Sequence, residues 1–213
     1  ITPATPEVMS ILQRYGFAMN RTMVNGDEPD HMERRRLLMD AFLPERLITL
    51  EPMVRNLARR YVDRFGSRGR ADLVAEMFCE IPLNIALKFL GVPDEGAEQL
   101  RQFAVAHTLN TWGRPTPQEQ LEIAENVGRF WQTAQQILDT MRAQPDGEGW
   151  MYETIRQHLL HPDVVPESYL RSMMMAILAA AHETTSNATA NAFLTLLSHR
   201  KAWEDICANP ALI

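Results

Sequence analysis

The sequence contains few cysteines, and their placement excludes several classes of protein. Its two cysteines, Cys79 and Cys207, form neither a CxxC pair nor another metal-ligand spacing, so no disulfide framework and no cysteine metal centre is predicted. A secretory signal is absent, and no apolar run is long enough to cross a membrane. These absences predict a cytoplasmic protein without a membrane-spanning segment.

An excess of positive charge is also missing. The chain carries 21 Lys and Arg against 27 Asp and Glu, which gives a net charge of −6. Arginines cluster at residues 34–36 and 55–60, but other residues, acids among them, lie around them. Because a nucleic-acid surface needs a basic patch or stripe, no nucleic-acid partner is predicted.

Strand patterns are almost absent, and helical periodicity takes their place. Apolar residues recur at intervals of three and four over residues 50–65, while residues 76–90 are apolar nearly all round, which is typical of a buried helix. Residues 71–74 form either a short strand or a linker. The pattern predicts nine or ten helices and therefore an all-α fold.

Capping residues set the expected ends of two helices. Asp30 is expected to cap a helix over residues 31–42, which Pro44 would end, since the residue before a proline is biased out of the helical region. Thr116 is expected to cap a long helix over residues 117–142, with Pro117 in its first turn. A further helix is expected over residues 94–109.

The longest predicted helix, residues 166–199, has a break in its apolar pattern. Alanines at 179–181 are followed closely by Glu183 and Thr184. A buried helix normally carries large apolar side chains and excludes ionisable groups. Small residues beside an acid and an alcohol leave room for a flat ligand and can offer it protons.

The spacing in this helix allows two interpretations. Thr184 can donate a hydrogen bond to the carbonyl of Ala180, four residues earlier, which bends the helix and opens a groove for water or a small ligand. Glu183 and Thr184 would then relay protons. Alternatively, the alanines pack closely against a neighbouring helix and Glu183 is solvated or paired. Spacing alone favours this second interpretation.

A second candidate site lies in residues 30–36. His31 and Arg35 are four residues apart and share one face of a helix. Both donate hydrogen bonds when charged, so together they can clamp a carboxylate or phosphate. A solvated charged face explains the same spacing, and spacing alone favours it.

Taken together and in this order, the two segments resemble cytochrome P450 monooxygenases. Residues 180–185 resemble the Ala/Gly-Gly-x-Asp/Glu-Thr-Thr/Ser signature of that family's long central helix. Residues 30–36, followed by Ala-Phe-Leu-Pro at 41–44, resemble its propionate-binding helix, and residues 82–93 are similar to an intervening segment of soluble bacterial members. The run at 182–189 most resembles self-sufficient forms that carry a fused flavin and iron–sulfur reductase.

The resemblance implies a haem b cofactor and gives roles to both segments. His31 and Arg35 would bind a haem propionate. Thr184 would hold water or donate a hydrogen bond to dioxygen at the haem, and Glu183 would feed protons inward. The remaining roles fall on alanines of the central helix: Ala180 and Ala181 against the macrocycle, and Ala176, Ala179 and Ala180 along the substrate pocket.

The activity implied by the resemblance is the oxygenation of a C–H bond in a small organic substrate. Dioxygen is the co-substrate, and electrons would come from NAD(P)H through a flavin and iron–sulfur reductase, fused or separate. The alternative is a non-catalytic all-helical protein that binds a hydrophobic small molecule. Neither interpretation identifies the substrate or ligand.

Two features depart from the family pattern. Ala181 stands where glycine is usual, which adds a methyl group to the groove. The Phe-x-x-Gly-x-x-x-Cys-x-Gly loop that would supply the haem thiolate is absent from the sequence. Residues 1–213 are therefore expected to be an internal part of one haem domain about twice as long, inactive alone, with the ligand cysteine beyond Ile213.

Overall fold

A computed structural model describes residues 4–101, 103, 109 and 113–213, and no strand occurs within them. The predicted all-α class is confirmed. The α-helices of the described part are α1 (Pro6–Arg14), α2 (Asp30–Leu38), α3 (Pro44–Leu47), α4 (Glu51–Phe65), α5 (Glu80–Leu90), α6 (Asp94–Arg101), α7 (Pro117–Arg142), α8 (Trp150–Leu160), α9 (Glu167–Ser198) and α10 (Arg200–Ala208).

Helix α9 is the element against which most of the others pack. Its 32 residues span roughly 48 Å at 1.5 Å per residue. It contacts α5, α7, α8 and α10. The first half is largely buried, with Met174, Met175 and Leu178 inaccessible to solvent, whereas Leu194 and Leu197 in the second half are exposed. The sequence predicted both ends of this helix to within about a residue.

Helix α7 begins at the predicted capping residue. The hydroxyl of Thr116 accepts a hydrogen bond from the Glu119 amide, and the Glu119 carboxylate accepts one from the Thr116 amide at 2.7 Å. Pro117 occupies the first turn, where its missing N–H costs nothing. Helix α1 packs along α7, and the Trp131 indole donates a hydrogen bond to the carbonyl of Gly16 at 2.9 Å.

The start of the predicted helix 76–90 is irregular. Residues Val74–Phe78 form a π turn, in which the Cys79 amide bonds to the Val74 carbonyl, and α5 begins only at Glu80. Pro82 accounts for the break, because it has no N–H for the Phe78 carbonyl four residues earlier. Of residues 71–74, Ala71 and Asp72 form a linker, whereas Leu73 and Val74 already belong to the helical segment, so the short strand is not observed.

Two predicted ends of α2 are wrong. Asp30 is the first residue of the helix instead of its cap, and the preceding Pro29 offers no side-chain hydrogen bond. The helix ends at Leu38, and a separate 3₁₀ turn covers Asp40–Phe42. Pro44 is the first residue of α3, because a proline is well suited to the first position of a helix.

The helix predicted over residues 94–109 is described as α6, Asp94–Arg101, and most of its remainder lies outside the described residues. Within the described part of the chain, no helix has both the length and the apolar character that a crossing of the bilayer requires.

Candidate functional site

The middle of α9 presents its small residues on an open face. The Thr184 hydroxyl donates to the carbonyl of Ala180, as the spacing predicted. Both residues are exposed, so no described part of the chain covers this face. Close packing through alanines is therefore not observed at Ala180 in this chain. Ala176 and Ala179 are partly buried on neighbouring parts of the helix surface.

The next row of α9 borders an apolar cleft of about 250 Å³. Helix α5 and the segment around residues 42–50 form the other walls. Thr185 is the one polar residue among the described residues that line it. The cleft is lined by Phe42, Leu47, Leu50, Pro82, Ile85, Ala86, Phe89, Ile177, Ala181 and Thr185. Of the alanines singled out in the sequence, only Ala181 borders this cleft.

Glu183 stands beside Thr184 and is partly buried. No hydrogen bond or ion pair involves its carboxylate within the described part of the chain.

The Cys79 thiol lies near Glu183 and stays protonated. Burial raises the pKa of this thiol, and the negative charges of Glu80, Asp72 and Glu183 raise this pKa further. A thiol held protonated in this way is a poor metal ligand. Among the described residues there is also no acidic, histidine or cysteine cluster suited to a metal ion.

Helix α2 places the two predicted clamp residues differently. The His31 ring is half-buried, and its Nδ1 lies 2.8 Å from the Met23 carbonyl, so Nδ1 carries the hydrogen. Arg35 is exposed, and no ion pair involves it within the described residues. Neither residue lines the apolar cleft, although Phe42, which follows α2, does.

Arg34, the neighbour of Arg35, points into the protein. Its side chain is 12% exposed, its Nε donates to the Val164 carbonyl at 2.9 Å, and its guanidinium lies 5.0 Å from the centre of the Tyr169 ring. These contacts tie α2 to the start of α9. The run of arginines at 34–36 gave no indication of which one is buried, because all three are chemically alike.

A buried polar residue in α9 was not assigned a role from the sequence. His182 is 6% exposed, and its Nε2 lies 2.8 Å from the carbonyl of Cys79. The available signal was a histidine that directly follows three alanines in the middle of the helix. Its partner is a backbone carbonyl, which no sequence pattern marks.

The fold is an all-helical domain with one long central helix, whose open small-residue face lies beside an apolar cleft. The family model for cytochrome P450 matches residues 5–208 of this chain. The chain therefore belongs to the cytochrome P450 family, and the resemblance stated from the two motifs is confirmed.

Solved structures and a curated relative extend this result. An intact type IV self-sufficient cytochrome P450 monooxygenase is 58% identical with a TM-score of 0.95, over 100% of this chain and 28% of that chain. The P450 heme domain of Tepidiphilus thermophilus is 56% identical with a TM-score of 0.94, and the match covers 99% of this chain and 50% of that chain. Cytochrome P450-SU2 of Streptomyces griseolus is 31% identical, and the match covers 91% of this chain and 45% of that protein. The chain spans about half the length of the curated relatives it matches.

Proposed function

We propose that this chain is part of a haem-dependent monooxygenase that oxygenates a C–H bond of a small organic substrate. The observation that carries the proposal is the exposed face of Ala180 and Thr184 beside an apolar cleft, in a chain of the P450 family. Residues 1–213 then form part of one haem domain about twice as long. No observation favours the non-catalytic alternative.

The residues present suit a haem group. The macrocycle is flat and apolar, and the exposed face of α9 offers it the methyl group of Ala180 and the small hydroxyl side chain of Thr184. The haem propionates are anionic, and Arg35 supplies an exposed cation near His31. With Nδ1 of His31 donating to the Met23 carbonyl, Nε2 remains to donate to a propionate when the ring is charged.

When bound, the haem supplies the activation of dioxygen and the transfer of one oxygen atom to the substrate. The thiolate ligand is proposed to come from residues after Ile213. Cys79 does not suit this role, because burial raises the pKa of its thiol. Cys207 is exposed on a short helix without a glycine-rich loop.

The chain's own residues are proposed to manage protons. The Thr184 hydroxyl donates to Ala180, and its oxygen lone pairs remain free to hold a water. Rotation of the hydroxyl away from Ala180 would let it donate to a bound molecule. Glu183 is partly buried and unpaired within the described residues, so its carboxylate can exchange protons between solvent and that water. Ala176 and Ala179 would border the substrate.

Electrons are proposed to come from NAD(P)H through a flavin and iron–sulfur reductase fused to the haem domain. The similarity to a self-sufficient enzyme supports this arrangement. This chain matches 28% of that protein but 50% of an isolated haem domain, so the larger relative extends well beyond its haem domain. A cytoplasmic location is consistent with a supply of NAD(P)H.

The test uses the full-length protein, including all residues that follow Ile213. The purified protein is reduced and exposed to carbon monoxide, and its absorption spectrum is recorded. Thiolate-ligated haem gives a strongly red-shifted band, which we expect. A protein without haem, or with the band of a histidine-ligated haem, would contradict the proposal. Reduction by NAD(P)H alone would support the fused reductase, and a requirement for an added reductase would contradict it.

A further inference from the structure

His182 joins the centre of α9 to the break in the neighbouring helical segment. Its Nε2 donates to the carbonyl of Cys79, which lies between the π turn Val74–Phe78 and α5. A carbonyl only accepts, so this contact places the ring hydrogen on Nε2. Nδ1 is buried and has no partner among the described residues. The bond to Cys79 is thus the one polar contact of the ring in this part of the chain.

The face of α9 that carries His182 is the buried one. Ser186 and Phe193 lie within roughly 40° of His182 around the helix axis, at 100° per residue. Ser186 is 5% exposed, and the Phe193 ring packs against Phe78 of the π turn with centroids 4.8 Å apart. Over three turns of α9, from His182 to Phe193, this face therefore contacts the Cys79 carbonyl at one end and the Phe78 ring at the other.

The proposed oxygen-side residues lie on the opposite face. Ala180 and Thr184 are each two residues from His182, which corresponds to roughly 200° around the axis. A rotation of α9 about its own axis therefore changes the direction of the Thr184 side chain. Apolar contacts such as Phe193 with Phe78 tolerate sliding, whereas a directional hydrogen bond between a side chain and a fixed carbonyl does not.

We infer that His182 is a positioning residue that sets the rotation and register of α9, and through them the direction of the Thr184 hydroxyl. The inference rests on the proposed function of Thr184. His182 lies on the face of α9 opposite the proposed oxygen side, so its role would be indirect. It acts through the backbone between residues 182 and 184, and the Cys79 carbonyl, directly after the π turn, provides the fixed point.

The test compares two substitutions in the full-length haem protein. His182→Leu keeps a buried side chain of similar size and removes the donor, while His182→Gln keeps an N–H at a similar reach. We expect His182→Leu to lower the product formed per dioxygen consumed several-fold, with more peroxide. His182→Gln should restore most of this coupling.

A second readout does not depend on activity. Hydrogen–deuterium exchange of the backbone amides of residues 180–188, measured with and without haem, reports directly on how firmly α9 is seated. Loss of the buried bond should speed this exchange about tenfold in His182→Leu and much less in His182→Gln.

His158 offers a matched control elsewhere in the fold. Its Nδ1 lies 2.7 Å from the carbonyl of Val165, so it also bonds a backbone carbonyl, and its Nε2 faces the carboxylate of Glu167 at the start of α9, far from the centre of that helix. His158→Leu should lower stability comparably and leave coupling unchanged. Equal uncoupling in the variants at His158 and His182 would show a general loss of stability and overturn the inference.

The failure of this inference is distinguishable from the failure of the proposed function. If Thr184→Ala uncouples the enzyme but His182→Leu changes neither coupling nor exchange, the inference alone is wrong. If the protein binds no haem, the proposed function is wrong, and only the exchange measurement still bears on His182.

Discussion

At the scale of single residues, Thr184 combines a structural contact with a proposed chemical role. Its hydroxyl donates to the Ala180 carbonyl, the same bond that other hydroxyl residues of α9 make to the carbonyl four residues earlier. Thr184 differs from Thr195 in position, because Thr184 lies between Glu183 and Thr185, which lines the apolar cleft, whereas Thr195 lies near the end of the helix.

Replacing this alcohol should uncouple the enzyme. In Thr184→Ala we expect substrate binding to persist while product per dioxygen falls several-fold and peroxide rises, because the site loses the hydroxyl that is proposed to hold water. Thr195→Ala removes an equivalent bond to the carbonyl of Asn191 and should behave as wild type. Oxygen consumption and product measured together decide it, and unchanged coupling in Thr184→Ala would remove Thr184 from the proton relay.

Tyr169 illustrates a buried polar group without a partner. It is fully buried, its hydroxyl has no hydrogen bond among the described residues, and burial raises the pKa of Tyr169 to about 12. A higher pKa in the folded state means that folding favours the protonated phenol. This contribution is present below pH 10, the ordinary pKa of tyrosine, and is lost as pH rises toward 12.

Tyr169→Phe should therefore change stability in a pH-dependent way. Near pH 8 the variant should match or exceed wild type by up to about 1–3 kcal/mol, because an unpaired buried hydroxyl is removed. Above pH 10, wild type should lose about 1.4 kcal/mol per pH unit relative to the variant. Denaturant unfolding of the full-length protein between pH 8 and 11 measures this, and parallel pH curves would contradict it.

At the scale of elements, the end of α5 and the start of α8 meet at two glycines. Gly91 follows α5 with φ of +78°, and Gly149 precedes α8 with φ of +129°. A side chain at Gly91 would overlap the carbonyl of Glu148, so the two loops can approach only because both lack one. The Trp150 indole, next along the chain, then donates to the Leu38 carbonyl at 2.9 Å and fixes α8 on α2.

A matched pair of glycines can isolate this contact. Gly69 also has positive φ, +66°, but no atom lies within 4 Å of an added methyl. Gly69→Ala should cost about 1–2 kcal/mol of stability from backbone strain alone. Gly91→Ala should cost about 3 kcal/mol or more, because overlap adds to that strain. Unfolding midpoints of the two variants give the difference, and equal costs would mean that the loops adjust freely.

At the scale of the whole molecule, the arginines of α2 divide between the interior and the proposed haem edge. Arg34 holds α2 against α9 through the Val164 carbonyl and Tyr169. Arg35 and Arg36 are exposed, and only Arg35 shares a face with His31. In the proposed clamp, Arg35 would therefore meet a haem propionate from a helix that Arg34 already fixes against α9.

Arg35→Gln should weaken haem retention in the full-length protein. We expect haem to transfer to a haem-scavenging protein about tenfold faster, because one charge-assisted hydrogen bond is lost. Arg36→Gln removes an exposed charge from the same helix and should retain haem as wild type does. Absorbance at the haem band follows the transfer. Similar transfer rates for both variants would mean that Arg35 acts only through the net charge of the helix, which would contradict the proposed clamp.

Local signals in the sequence determined the helices and the family. The extent of α9 followed from Pro166 at its start and from the absence of proline and glycine up to residue 199, and the start of α7 followed from Thr116 and Pro117, because caps act within one turn. The back-bond from Thr184 to Ala180 was predictable for the same reason. The two motifs were sufficient for the family because their order was informative as well as their composition.

Only the tertiary structure decided which faces meet. It placed Ala181 instead of Ala176 or Ala179 on the apolar cleft, turned Arg34 inward and Arg35 outward, and paired His182 with a backbone carbonyl about 100 residues away. It also moved the ends of α2, where Pro44 opened a new helix. The physical reason is that a helix pattern fixes relative positions around its own axis, whereas rotation against neighbours depends on contacts distant in sequence.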